Sequence, residues 1–559
     1  MNSPIPRFAL GLDFGTNTVR ALIADTADGR EIATAEAPYA HGDQGIITDE
    51  SQPELARQHP SDYLEGAAQA TQAALTLAKE SNDSAFSIVG IGIDATGSTP
   101  MPIDAKGQSI CDQTQFQDNP NAMAWLWKDH TSIAEAAELT SAAQSQAPQY
   151  LEKCGGTYSS EWFWAKLLHC ARTAPEVISQ THSWIEIADW IPAVLTGNEA
   201  QPNRGICQAG HKGWYHQEWG GYPSAEFLSQ FDPNLARIRE TLPDKTYPID
   251  QPAGTLTEEW ALRLGLEPGT PVAVGALDAH LGVVGCGIAT NTLVKILGTS
   301  TCDIIVSPMT TQLPFIPGLC GIAPHSVIPN HFGLEAGQSA VGDIFNWWVD
   351  VIQPGQSPSH EDLTALAQQQ SPGESGLLSL DWNNGNRTVL VDPQLSGLIL
   401  GQTLQTQAHE IYRALLEATA YGARVIMERI EEYGIPITEV IACGGIAEKN
   451  EFLMQLYADV TGRTMKTSRS AQTCALGAAI CGAVVGGAHE DIPTAQTNMT
   501  GTKERIFRPQ EAAAATYNDL FGLYRELHDA FGKRETSANL FPIMKTLIEI
   551  RQRARAGQS

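Results

Sequence analysis

The sequence is poor in basic residues and has no paired cysteine motif. Lys and Arg number 35 against 63 Asp and Glu, which gives a formal net charge of −28 at pH 7. Nucleic-acid binding needs a basic face, so this balance argues against a nucleic-acid partner. The ten cysteines are scattered without a Cys-x-x-Cys pair. This spacing argues against a zinc or disulfide framework and predicts a reducing, cytoplasmic location.

Long apolar runs are also missing. No run of roughly 18 apolar residues occurs, as a membrane span would need. The most apolar stretch, residues 272–297, is interrupted by Asp278, His280, Asn291 and Lys295. The first residues lack the charged-then-apolar pattern of a signal peptide. We therefore expect no membrane partner, and a chain of 559 residues is long enough to form two domains.

Two segments about half the chain apart share one pattern. Gly15-Thr16-Asn17-Thr18 and Gly298-Thr299-Ser300-Thr301 each lie between two apolar runs. This pattern predicts two β-hairpins with polar, glycine-containing tips. Backbone N–H groups and hydroxyls at such tips can bind an anion such as phosphate. Because each tip opens one half of the chain, the pair predicts a duplicated nucleotide-binding protein with phosphates held between the halves.

The segments after the two hairpins also correspond. In the first half, a helical stretch at residues 62–79 precedes an apolar run that ends at Asp94. In the second half, a helix over 408–433 precedes a strand over 439–443, which opens into Gly444-Gly445 and a helix over 448–460. Glycines at such a turn permit close approach to a ligand, although a plain strand-to-helix turn is the alternative. The amphipathic tail at residues 509–531 is expected to pack back on the body.

Two acids are candidates for chemistry. Asp13 ends a strand just before the first tip, where it either caps the turn or faces the triphosphate and holds Mg²⁺ through water, since oxygen ligands suit that hard ion. Asp278 lies among small and apolar residues, where an unpaired carboxylate is unfavourable without a partner. A carboxylate there suits a general base that accepts a hydroxyl proton during phosphoryl transfer.

Three further residues lie in segments typical of polyol pockets. Trp127 and Lys212 stand in aromatic-rich stretches, and Glu335 stands among small residues. Aromatic side chains also simply pack in cores, so the residues alone leave both interpretations open.

The chain resembles the FGGY family of carbohydrate kinases, within the actin and heat-shock chaperone superfamily. The resemblance runs from about Phe8 to Gly482. It is carried by residues 12–16, 94–100, 120–123, 126–130, 210–214, 275–280, 298–300, 335–339 and 442–450. It implies an α/β fold of two ribonuclease-H-like domains with a nucleotide cleft between them. We place the domains at residues 1–288 and 289–559, the second carrying a C-terminal helical tail.

The resemblance also implies roles for individual residues. Asp278 would be the catalytic base, and the sugar would lie against Ala95, Trp127, Lys212, Asp278 and Glu335. The nucleotide would contact Gly298, Thr299, Gly444, Gly445 and Asn450. Together with the hairpin argument, this adds Gly15, Thr16 and Asn17 as phosphate contacts and Asp13 as the metal residue.

The activity implied by the resemblance is ATP- and Mg²⁺-dependent phosphorylation of the C5 hydroxyl of L-ribulose, as in L-arabinose catabolism. D-Ribulose or a pentitol is the alternative substrate, and a homodimer is an open alternative for the assembly. Two other classes of protein are alternatives to a sugar kinase: a chaperone-like ATPase and a non-catalytic sugar-binding regulator. Asp278 and the aromatic segment at residues 120–127 argue against the first, and the presence of both tips and the base argues against the second.

Overall fold

Two seven-stranded sheets, one in each half of the chain, organise the fold. The structure is a computed structural model and describes residues 5–81, 85–352 and 358–557. Among these residues, no helix is both long enough and apolar enough to cross a bilayer.

The described residues of the first half form twelve strands and eleven α-helices. The strands are β1 (Arg7–Phe14), β2 (Thr18–Asp25), β3 (Glu31–Pro38), β4 (Ile47–Asp49), β5 (Gln52–Gln58), β6 (Ser87–Ala95), β7 (Pro100–Ile103), β8 (Ala124–Trp125), β9 (Ser183–Glu186), β10 (Pro252–Thr255), β11 (Pro271–Ala273) and β12 (Ala276–Leu277). The helices are α1 (Pro60–Ser81), α2 (Ile133–Gln146), α3 (Gln149–Glu152), α4 (Phe163–Thr173), α5 (Pro175–Gln180), α6 (Ile187–Thr196), α7 (Ile206–Lys212), α8 (Ala225–Ser229), α9 (Pro233–Arg239), α10 (Glu258–Leu264) and α11 (Asp278–Gly285).

The second half contains nine strands and nine α-helices among its described residues. The strands are β13 (Thr292–Leu297), β14 (Thr301–Pro308), β15 (Gly321–Pro324), β16 (His331–Ala336), β17 (Leu378–Leu380), β18 (Leu398–Leu400), β19 (Glu439–Cys443), β20 (Thr464–Ser468) and β21 (Thr502–Phe507). The helices are α12 (Gly342–Asn346), α13 (His360–Gln368), α14 (Ala408–Glu432), α15 (Gly445–Lys449), α16 (Glu451–Thr461), α17 (Thr473–Val485), α18 (Ile492–Met499), α19 (Glu511–Gly532) and α20 (Ile543–Arg555).

The two sheets have matching topology. In the first, β3, β2 and β1 are antiparallel neighbours, and β6 then pairs parallel to β1. In the second, β16, β14 and β13 are antiparallel neighbours, and β19 pairs parallel to β13. Each parallel pair is joined through a long helix, α1 or α14, as a parallel crossover requires. This repeat confirms the predicted α/β fold with two related halves.

Helices α11 and α17 form a layer between the two sheets. Their apolar residues share one core with Ala9 and Leu22 of the first sheet and with Val294 and Ile304 of the second. Three glycines of the first sheet allow α17 to approach closely. A Cβ on Gly11, Gly90 or Gly92 would lie 1.9, 2.1 or 1.8 Å from a backbone oxygen of α17. The second half of the chain therefore packs its helix directly on the backbone of the first sheet.

Two sequence predictions need correction in detail. The helix predicted over 448–460 is two helices, α15 and α16, which meet at Asn450. The Asn450 side chain accepts a hydrogen bond of 2.9 Å from the Leu453 N–H and so caps α16, a role that asparagine commonly has. The tail does pack on the body through Tyr517 and Tyr524 of α19, but Phe531 at its end is 53% exposed.

Candidate functional site

The first tip, residues 15–18, is held by four side chains. The Tyr39 hydroxyl donates to the Gly15 carbonyl at 3.1 Å, and the Gln58 amide donates to the Thr16 carbonyl at 2.7 Å. The Trp127 indole N–H donates to the Thr16 hydroxyl at 3.1 Å, and the Asn17 side chain donates to Gln44 at 2.7 Å. Trp127, predicted to line the sugar pocket, is thus connected directly to the predicted phosphate tip.

The second tip, residues 298–301, lies against the start of α12 and beside the Gly444 turn. The N–H groups of Val341 and Asp343 donate to the Thr299 carbonyl at 2.7 and 3.1 Å. Gly444 has φ of +93°, and a Cβ there would lie 2.4 Å from the Leu297 carbonyl oxygen, so this position requires glycine. A Cβ on Gly445 would meet no atom within 4 Å. Four predicted nucleotide residues, Gly298, Thr299, Gly444 and Gly445, are therefore close to one another, and the space beside Gly445 is open.

Three aspartates meet at the end of the first sheet. Asp13 and Asp94 are register partners in the parallel strands β1 and β6, and Asp94 is also paired with Ala276, two residues before Asp278. Asp94 is fully buried, and no N–H or hydroxyl group among the described residues donates to its carboxylate; its side-chain partner is the Asp13 carboxyl group. Burial, followed by the charges of Asp13 and Asp278, raises the pKa of Asp94 well above its ordinary value.

The other two aspartates differ in their partners. Arg20 donates to Asp13 at 3.1 Å, but burial outweighs this pairing and raises the pKa of Asp13. Asp278 begins α11 and accepts a hydrogen bond of 2.7 Å from the Ala279 N–H. Burial is the main cause that raises the pKa of Asp278 to about 7, with the charge of Asp13 adding to it. A carboxylate with a pKa near neutrality suits a general base.

An ion pair joins the two halves next to Asp278. Lys212 ends α7 in the first half, and its ammonium lies 3.0 and 3.1 Å from the two carboxylate oxygens of Glu335 on β16. Both side chains are buried, and their charges act on the pKa of Asp278. Ala95 is buried at the end of β6, in register with Leu277. The structure therefore places Ala95, Lys212 and Glu335 around the predicted base.

Sequence reasoning missed part of this site. Asp94 was recognised only as a strand end, although the pattern that singled out Asp13, an acid at the end of a strand, applies equally to it. Asn450, predicted to contact nucleotide, uses its side-chain oxygen to cap α16, and its side-chain NH₂ group remains available to donate to a ligand.

Two family descriptions match nearly the whole body of the chain. The N-terminal domain of the FGGY family of carbohydrate kinases matches residues 8–285, and the C-terminal domain of that family matches residues 293–485. The chain belongs to this family. It is an ATP-dependent sugar kinase.

Relatives of this FGGY kinase align over almost its full length. Ribulokinase of Geobacillus thermodenitrificans is 41% identical, with 99% of this chain and 98% of the relative covered. Ribulokinase of Mycolicibacterium smegmatis is 37% identical, with 99% of both covered. The crystal structure of xylulose kinase from Rhodospirillum rubrum superimposes with a TM-score of 0.78 at 23% identity, covering 96% of this chain and 100% of that one. This last likeness confirms the two-domain fold.

Proposed function

We propose that this FGGY kinase phosphorylates L-ribulose at its C5 hydroxyl with ATP. The substrate is inferred from relatives named ribulokinase that align end to end with the chain. The observation that carries the chemistry is Asp278, a partly buried carboxylate whose desolvation raises its pKa to about 7, beside the Lys212–Glu335 pair. D-Ribulose and pentitols such as ribitol are the alternative substrates.

In the proposed reaction, Asp278 accepts the C5 hydroxyl proton while that oxygen attacks the γ-phosphorus of ATP. The new P–O bond forms as the bond to the β-phosphate oxygen breaks, and ADP leaves. Lys212 and Glu335 orient the remaining sugar hydroxyls, with Trp127 and Ala95 closing the pocket. Gly15, Thr16 and Asn17 contact the phosphates from one side, and Gly298, Thr299, Gly444, Gly445 and the Asn450 amide hold the nucleotide from the other.

The metal would be held at the end of the first sheet. Asp13 and Asp94 are adjacent carboxylates whose charges repel each other, and Asp94 has no hydrogen-bond donor among the described residues. Oxygen ligands of this kind fit Mg²⁺. When bound, Mg²⁺ neutralises the charge of the phosphates. Until then the Arg20 guanidinium partly compensates Asp13.

The test is an ADP-release assay with ATP and Mg²⁺ across L-ribulose, D-ribulose, ribitol, D-xylulose, gluconate and glycerol. We expect the highest kcat/KM for L-ribulose. A higher value for D-ribulose or ribitol would select the alternative substrate. A higher value for gluconate or glycerol than for every pentulose would contradict the proposal.

We further propose that the halves, with their boundary at residues 288 and 289, close over the substrates about the segment from Cys286 to Thr292. The Lys212–Glu335 pair supports this, because it joins side chains from opposite halves at the site. Small-angle scattering with L-ribulose and a non-hydrolysable ATP analogue should give a smaller radius of gyration than the free protein. An unchanged profile at saturating ligands would contradict closure.

A further inference from the structure

Two histidines stand beside the Glu335 carboxylate. His211 Nδ1 lies 3.4 Å and His280 Nε2 lies 3.7 Å from the same oxygen, Glu335 Oε2. One donor atom from each of the three side chains lies within 4.8 Å of the other two. A tetrahedral zinc ion with bonds of about 2.0–2.1 Å separates its ligand atoms by about 3.3 Å. The two measured separations exceed that value by only a few tenths of an ångström, so small side-chain rotations would create the geometry.

The hydrogen bonds around Ser326 favour one tautomer of His211. Ser326 donates its hydroxyl proton to the Ala323 carbonyl at 2.9 Å, so its oxygen accepts from His211 Nε2 at 3.0 Å. In the tautomer with the proton on Nε2, Nδ1 carries a lone pair and can only accept a hydrogen bond. It faces the Glu335 carboxylate, which is also an acceptor. Lys212 donates to this carboxylate, but no described group donates to His211 Nδ1. An imidazole lone pair left without a partner in a buried place is unfavourable, and a bound cation would remove that cost.

His280 supplies the third side of this cluster. Both of its ring nitrogens are buried without a hydrogen-bond partner among the described residues, and the residue is 2% exposed. Burial lowers the pKa of His280 to about 4 and the pKa of His211 well below its ordinary value. A metal ion binds a histidine through an unprotonated ring nitrogen, and the nitrogens of His280 have no competing hydrogen bond among the described residues.

Lys212 limits but does not exclude a metal ion here. Its ammonium lies 3.0 Å from Glu335 Oε1 and 3.1 Å from Oε2. A dication on Oε2 would leave Oε1 to the ammonium, which would have to move away from the metal. The lysine therefore lowers the affinity of the site for a metal ion. His211, His280 and Glu335 supply three ligands, and water can occupy the fourth position of a tetrahedral ion.

We propose that His211, His280 and Glu335 form a binding site for a borderline transition-metal dication, with Zn²⁺ as the first candidate, and that its occupation blocks the sugar pocket. Two imidazoles and one carboxylate match the ligand preference of zinc, whereas Mg²⁺ prefers oxygen ligands and would not compete. Metal binding is independent of the proposed function. Only the blocking step rests on it, since that step assumes that Lys212 and Glu335 contact the sugar.

The first experiment measures metal binding alone. The full chain, freed of metal with a chelator, is titrated with Zn²⁺ in competition with a chromophoric chelator, and X-ray absorption identifies the ligand atoms. We expect one zinc ion per chain with nitrogen and oxygen ligands. His211→Gln and His280→Gln should each weaken binding at least tenfold, whereas His528→Gln, which changes another buried histidine in the second half, should not.

Three outcomes would overturn the metal site: no zinc bound, sulfur ligands from the cysteines, or equal affinity in the wild type and both histidine variants. Unfolding midpoints of all variants establish that they are folded. If one histidine variant fails to fold, the other and the X-ray absorption spectrum of the wild type still decide the question.

The second experiment tests the blocking step without nucleotide, so that zinc bound to ATP cannot interfere. Binding of L-ribulose is measured by calorimetry with and without one equivalent of Zn²⁺. We expect at least a tenfold loss of sugar affinity in the wild type and no loss in His280→Gln. Zinc that binds without changing sugar affinity would overturn the blocking step. If the protein binds none of the sugars in the panel, the proposed function fails, while the zinc titration still decides the metal site.

Discussion

The two hairpins share the sequence Gly-Thr-x-Thr but differ in register. In the first, Phe14 pairs with Val19, so residues 15–18 form the connection. In the second, Leu297 pairs with Thr301, so the connection, residues 298–300, is one residue shorter. Consequently Asp13 is paired with Arg20 across the first hairpin, whereas the equivalent of Arg20, Asp303, is paired with Lys295.

The two hairpins also differ in how far their charged side chains are buried and paired. Arg20 is 28% exposed in its side chain, and Asp13 stands next to Asp94. Lys295 and Asp303 are each 1% exposed, 2.9 Å apart, and Lys295 also donates to Gln338 at 3.0 Å. In the first hairpin, the negative charge of Asp13 is only partly neutralised by Arg20. In the second hairpin, Lys295 and Asp303 neutralise each other inside the protein. We infer that the first sheet end performs chemistry and the second anchors its tip.

The largest effect is expected at Asp278. Asp278→Asn keeps the size of the side chain but cannot accept a proton, so kcat should fall by about 10²- to 10⁴-fold, the usual range for a positioned general base. Sugar and ATP affinity should change little, and folding should survive because a buried charge is removed rather than created. Single-turnover kinetics measure the chemical step, and a thermal unfolding scan measures whether the variant is folded. A folded variant with wild-type turnover would show that the catalytic base does not lie at the end of the first sheet.

Asp303→Asn and Asp13→Asn test the comparison directly. Asp303→Asn leaves Lys295 buried without its partner, so the free energy of unfolding should fall by about 3–5 kcal/mol.

Asp13→Asn relieves repulsion with Asp94, so stability should be kept while activity falls about 10- to 100-fold, the loss of one charged hydrogen bond or metal contact. Urea unfolding and kcat/KM are measured on both. The reverse pattern, a stable inactive Asp303→Asn and an unfolded Asp13→Asn, would refute the contrast.

The pH profile should report the acids of the first sheet end. Because burial raises the pKa of Asp278 to about 7, the group is protonated and inactive as a base at lower pH. We therefore expect kcat/KM to rise with pH by about tenfold per unit below this pKa and to level off above it. The unfolding midpoint measured over the same range controls for loss of folded protein. A flat profile between pH 5.5 and 8 would contradict the assigned base.

The smallest effect concerns the link from Trp127 to the first tip. Trp127→Phe keeps an aromatic ring but removes the N–H that donates to Thr16. A net hydrogen bond contributes about 0.5–1.5 kcal/mol, so kcat/KM should fall about 2- to 10-fold. Trp219→Phe removes a comparable indole bond, to the Trp214 carbonyl at 3.1 Å, and serves as the control. Equal activity of the two variants would mean that the link does not support the tip.

The parts of the site that sequence could predict are local ones. Each hairpin and the Gly444 turn follow from short patterns of apolar residues and glycine, and the structure confirms them. The Lys212–Glu335 pair spans 123 positions, and no local pattern connects those two residues. The register of the second hairpin was also unpredictable, since the two tips have nearly the same sequence. It is accompanied by the buried Lys295–Asp303 pair and its contact with Gln338, which only the folded sheet brings together.

The contact of α17 with the first sheet restricts how the halves can move. Gly11, Gly90 and Gly92 leave no side chain between the strand backbone and the helix backbone, so nothing compressible separates them. Sliding would drive the carbonyls of Ala475, Ala478 and Gly482 into the strands. Rotation about the contact would preserve it. In the closure proposed above, the helix of the second half would act as the pivot, and the sugar and nucleotide surfaces would approach each other without the centre of the molecule being repacked.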